Sequence, residues 1–361
     1  MTRLARVAVI AGDGIGLEVM PAAIRCLDAV ARHHGFEIEW NHLDWGSDLY
    51  RRTGAMMPAD GIAQLATHDA IFLGAVGAPD IPDTITLWGL LIPIRRSFDL
   101  YVNLRPARSL PGIEPVLRVE QPINMMIVRE NTEGEYSEIG GRHARGTAHE
   151  IAVQEAVFTR HGVTRVAGYA AALAAGRRGY LVSATKSNGI VHTMPFWDEI
   201  VAEVVNGVDG VELRSVLVDA LAAALVLKPS SFDVIVASNL LGDILSDLAS
   251  ALTGSIGVAP SANLNPERVH PSMFEPVHGS APDIAGLGIA NPLGQIWSGA
   301  MMLDHLGAAE AAAHLERAFE AALASGIRTR DLGGTATTEQ FVTAVLEQIE
   351  LTAPVVAAGA S

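Results

Sequence analysis

Phe232-Asp233-Val234-Ile235-Val236-Ala237-Ser238-Asn239-Leu240-Leu241-Gly242-Asp243-Ile244-Leu245-Ser246-Asp247-Leu248 is the stretch on which the reading of this 361-residue chain turns. Its first six residues form an apolar run rich in β-branched side chains, which predicts a buried strand. The spacing then becomes helical, with Ile244, Leu245, Leu248 and Leu252 on one apolar stripe. A strand therefore feeds a turn at 239–242, and a helix is predicted from near Gly242. Asp243 and Asp247 fall one helical turn apart, with Cβ atoms about 5–6 Å from each other. Two carboxylates so placed repel, and a cation between them removes the penalty. An isolated pair of this kind is more often solvated and simply favours the helix N-terminus through its dipole. Here the pair follows a buried strand, the end of an α/β sheet at which ligands bind. Oxygen-only donors suit a hard cation, Mg²⁺ or Mn²⁺.

Working outward, strand and helix patterns alternate along the whole chain, so the class is α/β. Val7–Ile10 reads as a strand, followed by Ala11-Gly12-Asp13-Gly14-Ile15-Gly16 and a helix to about His33. The glycines resemble a dinucleotide fingerprint, but Leu17 stands where the third glycine is required. A tight strand-to-helix turn is the better reading. Strands follow at Phe36–Trp40 and Ala70–Gly77. Ala78–Ile94, with three prolines, reads as loop. Asn103-Leu104-Arg105-Pro106 is extended, and the strand Met125–Val128 delivers Arg129-Glu130-Asn131-Thr132-Glu133-Gly134-Glu135-Tyr136. Arg142–Glu150 reads as an arm or hairpin. Val163–Ala175 and Trp197–Val205 read as helices, and Val216–Asp219 as a strand ending in aspartate. An alanine-rich helix then runs to Leu227. Two or three alanine-rich helices reach about Ser325, and the tail Thr352–Ser361 is predicted to fray.

Net charge is −15, with Asp+Glu 40 against Lys+Arg 25, which argues against nucleic acid and anionic membranes as partners. No apolar run reaches the roughly 20 residues that span a bilayer. No secretory signal opens the chain, so a cytoplasmic protein is expected. The one cysteine, Cys26, lies in a predicted helix as a small buried side chain. Only Lys186 and Lys228 are lysines among the 25 basic residues. A lysine kept in such a chain marks a place where arginine cannot serve, because arginine cannot lose its proton. Lys228 precedes Pro229 in a turn and reads as a surface residue. Lys186 follows the strand-like Gly179-Tyr180-Leu181-Val182. Arg95, Arg96, Arg105, Arg108 and Arg129 supply forks suited to carboxylates. Three of them converging would make a carboxylate pocket.

Several motifs together resemble one family, the β-decarboxylating dehydrogenases, which include isopropylmalate, isocitrate, homoisocitrate and tartrate/D-malate dehydrogenases. They are A-G-D-G-I-G at 11–16, N-L-R-P at 103–106, V-R-E-N-T-E-G-E-Y at 128–136, K-S-N at 186–188, N-L-L-G-D-I-L-S-D at 239–247 and E-P-V-H-G-S-A-P-D-I-A-G at 275–286. The resemblance implies an isopropylmalate-dehydrogenase-like fold of two α/β domains with the active site in the cleft between them. Residues 1–100 plus 257–361 would form the large cofactor-binding domain, and 101–256 the small domain with metal ligands and dimer interface. Asp219, Asp243 and Asp247 would be metal ligands. Arg95, Arg105 and Arg129, with Leu91 and Ile92, would bind substrate. Tyr136, Lys186 and Asp219 would be catalytic. His278, Gly279, Ser280, Ala281, Pro282, Asp283, Ile284 and Asn291 would take the adenosine side of the cofactor.

Also implied are NAD, Mg²⁺ or Mn²⁺, K⁺ as a further cation, and a homodimer in which Lys186 and Asp219 enter the other subunit's site. The pieces at 83–89, 254–268 and 296–299 resemble the tartrate/D-malate branch most. That branch usually has tryptophan, histidine and serine where this chain has Ala78, Thr84 and Leu90, and a larger polar residue at Ala224. Thr84 and Leu90 are expected to flank the substrate's variable group. D-malate or tartrate is the leading substrate, with 3-isopropylmalate or another 3-substituted malate as the alternative. A Mg²⁺-dependent phosphotransfer enzyme is the reading from a different class.

Overall fold

A computed structural model describes residues 2–114, 116–117 and 121–353. Residues 354–361, most of the tail expected to fray, lie outside them. In chain order the strands are β1 Thr2–Gly12, β2 Phe36–His42, β3 Ala70–Ala75, β4 Val102–Arg108, β5 Asn124–Glu130, β6 Gly140–His143, β7 Ile151–Gln154, β8 Tyr180–Thr185, β9 Glu212–Leu217, β10 Val234–Ala237, β11 Pro260–Leu264 and β12 Ser272–Pro276. Ten of them form one sheet in the order β2-β1-β3-β12-β11-β4-β5-β10-β8-β9. The chain is α/β as its alternating patterns predict.

Direction within the sheet changes at its middle. β2, β1, β3 and β12 are mutually parallel, and so are β5, β10, β8 and β9. Between the two sets, β11 runs antiparallel to β12 and β4, and β4 antiparallel to β5. Inside the sheet β3 and β10, covered on both faces, are apolar throughout, whereas the edge strands β2 and β9 carry exposed charged side chains. Helix Gly16–His33 packs Met20, Ala23, Leu27 and Val30 into the large core with helices Leu293–His305, Ala309–Ala324 and Thr338–Leu351. A second core joins β5, β8 and β10 to helices Val218–Leu227 and Asn239–Leu252. β6 and β7 form a separate antiparallel pair, all eight residues exposed, so Arg142–Glu150 is a hairpin arm.

Several boundaries differ from expectation, and three of them bear on the site. The proline-bearing segment is helical from Asp83: Asp83–Thr86, a π-turn at Leu87–Leu91, then Ile92–Ser97. Pro82 stands just before the first helix and Pro93 in the first turn of the last, where a missing N–H costs nothing. Asp219 does not end a strand but lies in the first turn of helix Val218–Leu227. Its apolar neighbours mimic a strand, while the carboxylate suits a helix N-terminus. The helix carrying Asp243 begins at Asn239 rather than near Gly242.

Burial beside Phe274, with Arg268 nearby, pushes His305 down to about 4. A histidine pKa depressed by folding means the unfolded chain binds more protons below about 6.5, so this contribution is present above that pH and lost as pH falls toward 4. The melting-temperature gap between the wild type and His305→Gln should therefore shrink between pH 7 and pH 5. Thermal melts across that range test this, and a constant gap would show that His305 does not titrate on unfolding.

Candidate active site

Arg105 lies mid-strand in β4, Arg129 near the end of β5, and Arg95 in the short helix Ile92–Ser97. All three are buried, and all three line one cavity of about 140 Å³ with Leu87, Ile92, Asn131, Tyr136, Asn239 and Asp243. The convergence that one-dimensional sequence cannot show is therefore present. Arg95 and Arg105 also line a neighbouring cavity of about 150 Å³ with Leu91, Glu275, His278 and Gly279. Two small cavities thus share two cations, one bounded by the acidic helix and the other by the loop after β12.

Strand alternation explains which side chains arrive here. Arg105 lines both cavities, with Asn103 buried on the same face and accepting from it, while Leu104, Pro106 and Arg108 line a separate cavity of about 620 Å³ on the opposite face. Arg108 is thereby excluded from the site. Arg96 is excluded as well: it binds Glu138 and the Tyr136 carbonyl and stacks 5.0 Å from the Trp88 ring.

The arginines are held rigidly. Arg95 donates to Glu275 at 2.8 Å, and Glu275 accepts from Asn263, also at 2.8 Å. Asn263 in turn accepts from Asn103 and Asn131. Arg105 donates to Asn103 at 2.6 Å and Ser246 at 2.7 Å. Arg129 donates to Asn239 through Nε and Nη2. These buried amides hold the guanidinium forks in place and leave part of their donor capacity facing the cavity. Burial pushes the Arg129 pKa down, Arg105 and Arg95 reinforcing this and Asp243 opposing it. Concentrated positive charge in a dry pocket is what a dianionic ligand neutralises.

The acidic helix meets this cluster directly. Asp243 accepts from Arg129, lies 3.2 Å from Arg105, and accepts from the Tyr136 hydroxyl at 3.4 Å. Asp247 accepts from Arg105 at 3.4 Å. Burial raises the Asp247 pKa, Asp243 adding to the effect and Arg105 opposing it. Burial and Asp243 raise that of Tyr136. The helix start is fixed from a distance: the Glu135 carboxylate accepts from the Ser238 hydroxyl at 2.7 Å and the Leu240 amide at 3.0 Å. That tertiary cap, invisible in local sequence, is why the helix begins three residues early. Gly242 allows the helix to press on β5, since a Cβ there would lie 2.7 Å from the Arg129 side chain.

Lys186 and Asp219 form their own pair, Nζ donating to Oδ1 at 2.6 Å, and neither lines the arginine cavity. Among the described residues of one chain, no three carboxylate, histidine or cysteine side chains gather as a metal site. Asp243 and Asp247 supply two hard oxygen donors on one helix face and need a further ligand from elsewhere.

The loop after β12 holds the remaining expected residues. His278 and Gly279 line the second cavity. His278 Nδ1 meets the Gly279 carbonyl at 3.0 Å, while its buried Nε2 has no partner among the described residues. An orphaned buried nitrogen in a cavity wall fits a polar ligand. Ser280 is buried; Pro282 and Asp283 are exposed, and Ile284 packs inward. Asn291 is committed to protein: it donates to Asp331 at 2.9 Å and accepts from the Leu293 amide. Leu90 is buried in the core and cannot flank a ligand, because the π-turn rotates Leu87 and Leu91 toward the cavities instead. Leu87, Asn131, Asn239 and Glu275 were not among the expected site residues. Only the alternation around Asn103 and Arg105 hinted at such a polar layer.

The profile of the isocitrate/isopropylmalate dehydrogenase family matches residues 6–345. D-malate dehydrogenase [decarboxylating] of Escherichia coli K12 is 52% identical over 359 residues, covering 97% of this chain and 99% of that protein. Tartrate dehydrogenase/decarboxylase of Pseudomonas putida is 50% identical over 355 residues, covering 95% and 97%. Among solved structures, isocitrate dehydrogenase from Methylococcus capsulatus superposes with a TM-score of 0.87 at 33% identity, covering 97% of this chain and 99% of that one.

Proposed function

The chain belongs to the isocitrate/isopropylmalate dehydrogenase family, and from that premise we propose that it oxidises and decarboxylates a malate-type 2-hydroxy dicarboxylate, D-malate or tartrate, with NAD⁺. Members of this family generally use a nicotinamide dinucleotide and a divalent metal. The observation that carries the substrate class is the convergence of Arg95, Arg105 and Arg129 on one cavity beside Asp243. Three buried cations are more than one carboxylate needs and suit two. The sequences of the D-malate and tartrate dehydrogenases compared above, half identical over nearly full length, support the choice within the class.

The proposed division of labour follows from the side chains. The arginines grip the two carboxylates. Asp243 and Asp247, with Asp219 of the partner subunit, would hold Mg²⁺ or Mn²⁺, which when bound supplies Lewis acidity at the 2-hydroxyl. Lys186 of the partner subunit accepts the hydroxyl proton, and a nicotinamide ring, when bound, would supply the acceptor for the C2 hydride. The bond to the β-carboxylate then breaks, CO₂ leaves, and the electron pair becomes an enolate. Tyr136 protonates the enolate carbon. The separation of the Lys186–Asp219 pair from the arginine cavity within one chain supports a homodimer with shared sites. So do the exposed apolar side chains Ile190, Val191, Val226, Leu227, Leu240 and Ile244, which lie near Lys186, on the helix of Asp219 and on that of Asp243. The reversal of strand direction at β11 and β4 supports a two-part division near residues 101 and 257, with the cavities between the parts. The phosphotransfer alternative lacks a cradle, since the early glycine turn is occupied by Ser280.

Absorbance at 340 nm with NAD⁺ and Mn²⁺ over D-malate, both tartrates, 3-isopropylmalate and isocitrate tests the assignment. The highest kcat/KM is expected for D-malate or a tartrate, and a preference for isocitrate or 3-isopropylmalate would overturn it. Asp283, an exposed carboxylate on the cofactor loop, would hydrogen-bond the ribose hydroxyls and repel a 2′-phosphate. A strong preference for NAD⁺ over NADP⁺ is therefore expected. A kcat/KM ratio favouring NADP⁺ would show that Asp283 faces elsewhere.

A further inference from the structure

We propose that Glu18 is a positioning residue for the dinucleotide, acting through the loop 278–288, and that the glycine turn at 11–16 is the socket into which that loop docks. This rests on the reading of His278–Asp283 as the adenosine side of the cofactor site. The turn resembles a phosphate cradle, yet its amides are spent on protein. The Ile15 amide donates to the Ser280 carbonyl at 2.9 Å. Gly14 has φ +54°, and a Cβ there would lie 2.1 Å from the Ser280 oxygen, so only glycine admits the loop this closely. Asp13 is buried and accepts from the Ser47 amide at 2.8 Å, the Ser47 hydroxyl at 2.6 Å and the Gly77 amide at 2.8 Å, bracing the turn from below.

Glu18 fastens the other end of the loop. Its carboxylate accepts from the Gly286 amide and, at 3.0 Å, from the Gly288 amide. Ile15, Val19 and Ala290 are buried together, with Ala281, Ile284 and Ala285 packed on them. Asp283 therefore sits between two pinned points, Ser280 before it and Gly286 after it. Ala281 holds φ +40°, a conformation a non-glycine residue keeps only when its surroundings impose it. A loop held in its binding shape spares the ordering cost that a free loop would incur on meeting the ligand. Glu18 touches neither cavity, so it is placed to influence the cofactor alone.

The test compares wild type, Glu18→Ala and Glu18→Gln by NADH fluorescence titration, steady-state kinetics and thermal melts. Glu18→Ala should bind NADH about tenfold or more weakly, since it loses two hydrogen bonds to a charged acceptor. Its KM for NAD⁺ should rise in step, while kcat and the KM for the dicarboxylate stay close to wild type. Glu18→Gln keeps a carbonyl acceptor and should recover part of the loss. Equal NADH affinity in wild type and Glu18→Ala would overturn the positioning role while leaving the cofactor loop assigned. Parallel losses in NADH affinity, substrate KM and melting temperature would make Glu18 a general stabiliser and also overturn it. Failure of the wild type itself to bind NADH would remove the cofactor-loop reading and this inference with it.

Discussion

Asp243→Asn is expected to fold and to lose turnover by roughly 10²–10³-fold or more, the scale of removing one group that stabilises charge in the transition state. Asp243 is where the site's two electrostatic systems meet. It accepts from Arg129 and Tyr136, lies beside Arg105, and shares a helix face with Asp247. Asparagine keeps a carbonyl for Arg129 but removes the charge that a divalent cation requires. Any residual activity should need metal in the millimolar range. The same shift is expected for Asp247→Asn, which disturbs the arginines less because Asp247 contacts only Arg105 among them. Activity titrated against Mn²⁺ measures both, and wild-type activity of either variant at ordinary metal concentrations would remove the carboxylates from the metal site.

Lys186→Met is expected to fold, bind NADH normally and lose dehydrogenation by about 10²–10⁴-fold, the usual contribution of a general base. Lys186→Arg should fare little better, because a guanidinium keeps the charge but accepts no proton. The 2.6 Å contact between Lys186 and Asp219 presents both residues as one unit. The two half-reactions should separate. Lys186→Met should still decarboxylate added oxaloacetate with Mn²⁺, whereas Tyr136→Phe should be poorer at it. NADH formation and CO₂ release followed in parallel check this, and near-wild-type NADH formation by Lys186→Arg would reduce Lys186 to an electrostatic anchor.

Much of the fold was legible because strands covered on both faces must be apolar runs, as at Val234–Ala237 and Ala70–Ala75. The reading of A-G-D-G-I-G as a tight turn also stands, and the missing third glycine was its signal. What escaped local sequence depended on partners far along the chain. Glu135 caps the helix at Ser238 and Leu240 from more than a hundred residues away. The proline-rich 78–94 segment hid its helices, because prolines at first turns look like loop punctuation. Asp219 looked like a strand end because the apolar run Val216-Leu217-Val218 crosses from the strand into the helix without a break. In the site, the motifs supplied the arginines and aspartates. Beyond the alternation at Asn103 and Arg105, the amide layer was hidden, because no local pattern says that Asn103 and Asn131 meet Asn263 or that Asn239 meets Arg129.

The central claim is that each site joins the arginine–aspartate cluster of one chain to Lys186 and Asp219 of another. Mixing two inactive variants, Asp243→Asn and Lys186→Met, and letting them exchange subunits measures it directly. In a mixed dimer one shared site carries both defects and the other carries neither. With half the dimers mixed, activity should recover to about a quarter of wild type. A mixture that stays as inactive as its components, with exchange confirmed by differently tagged chains, would place the whole site within one chain and contradict the account.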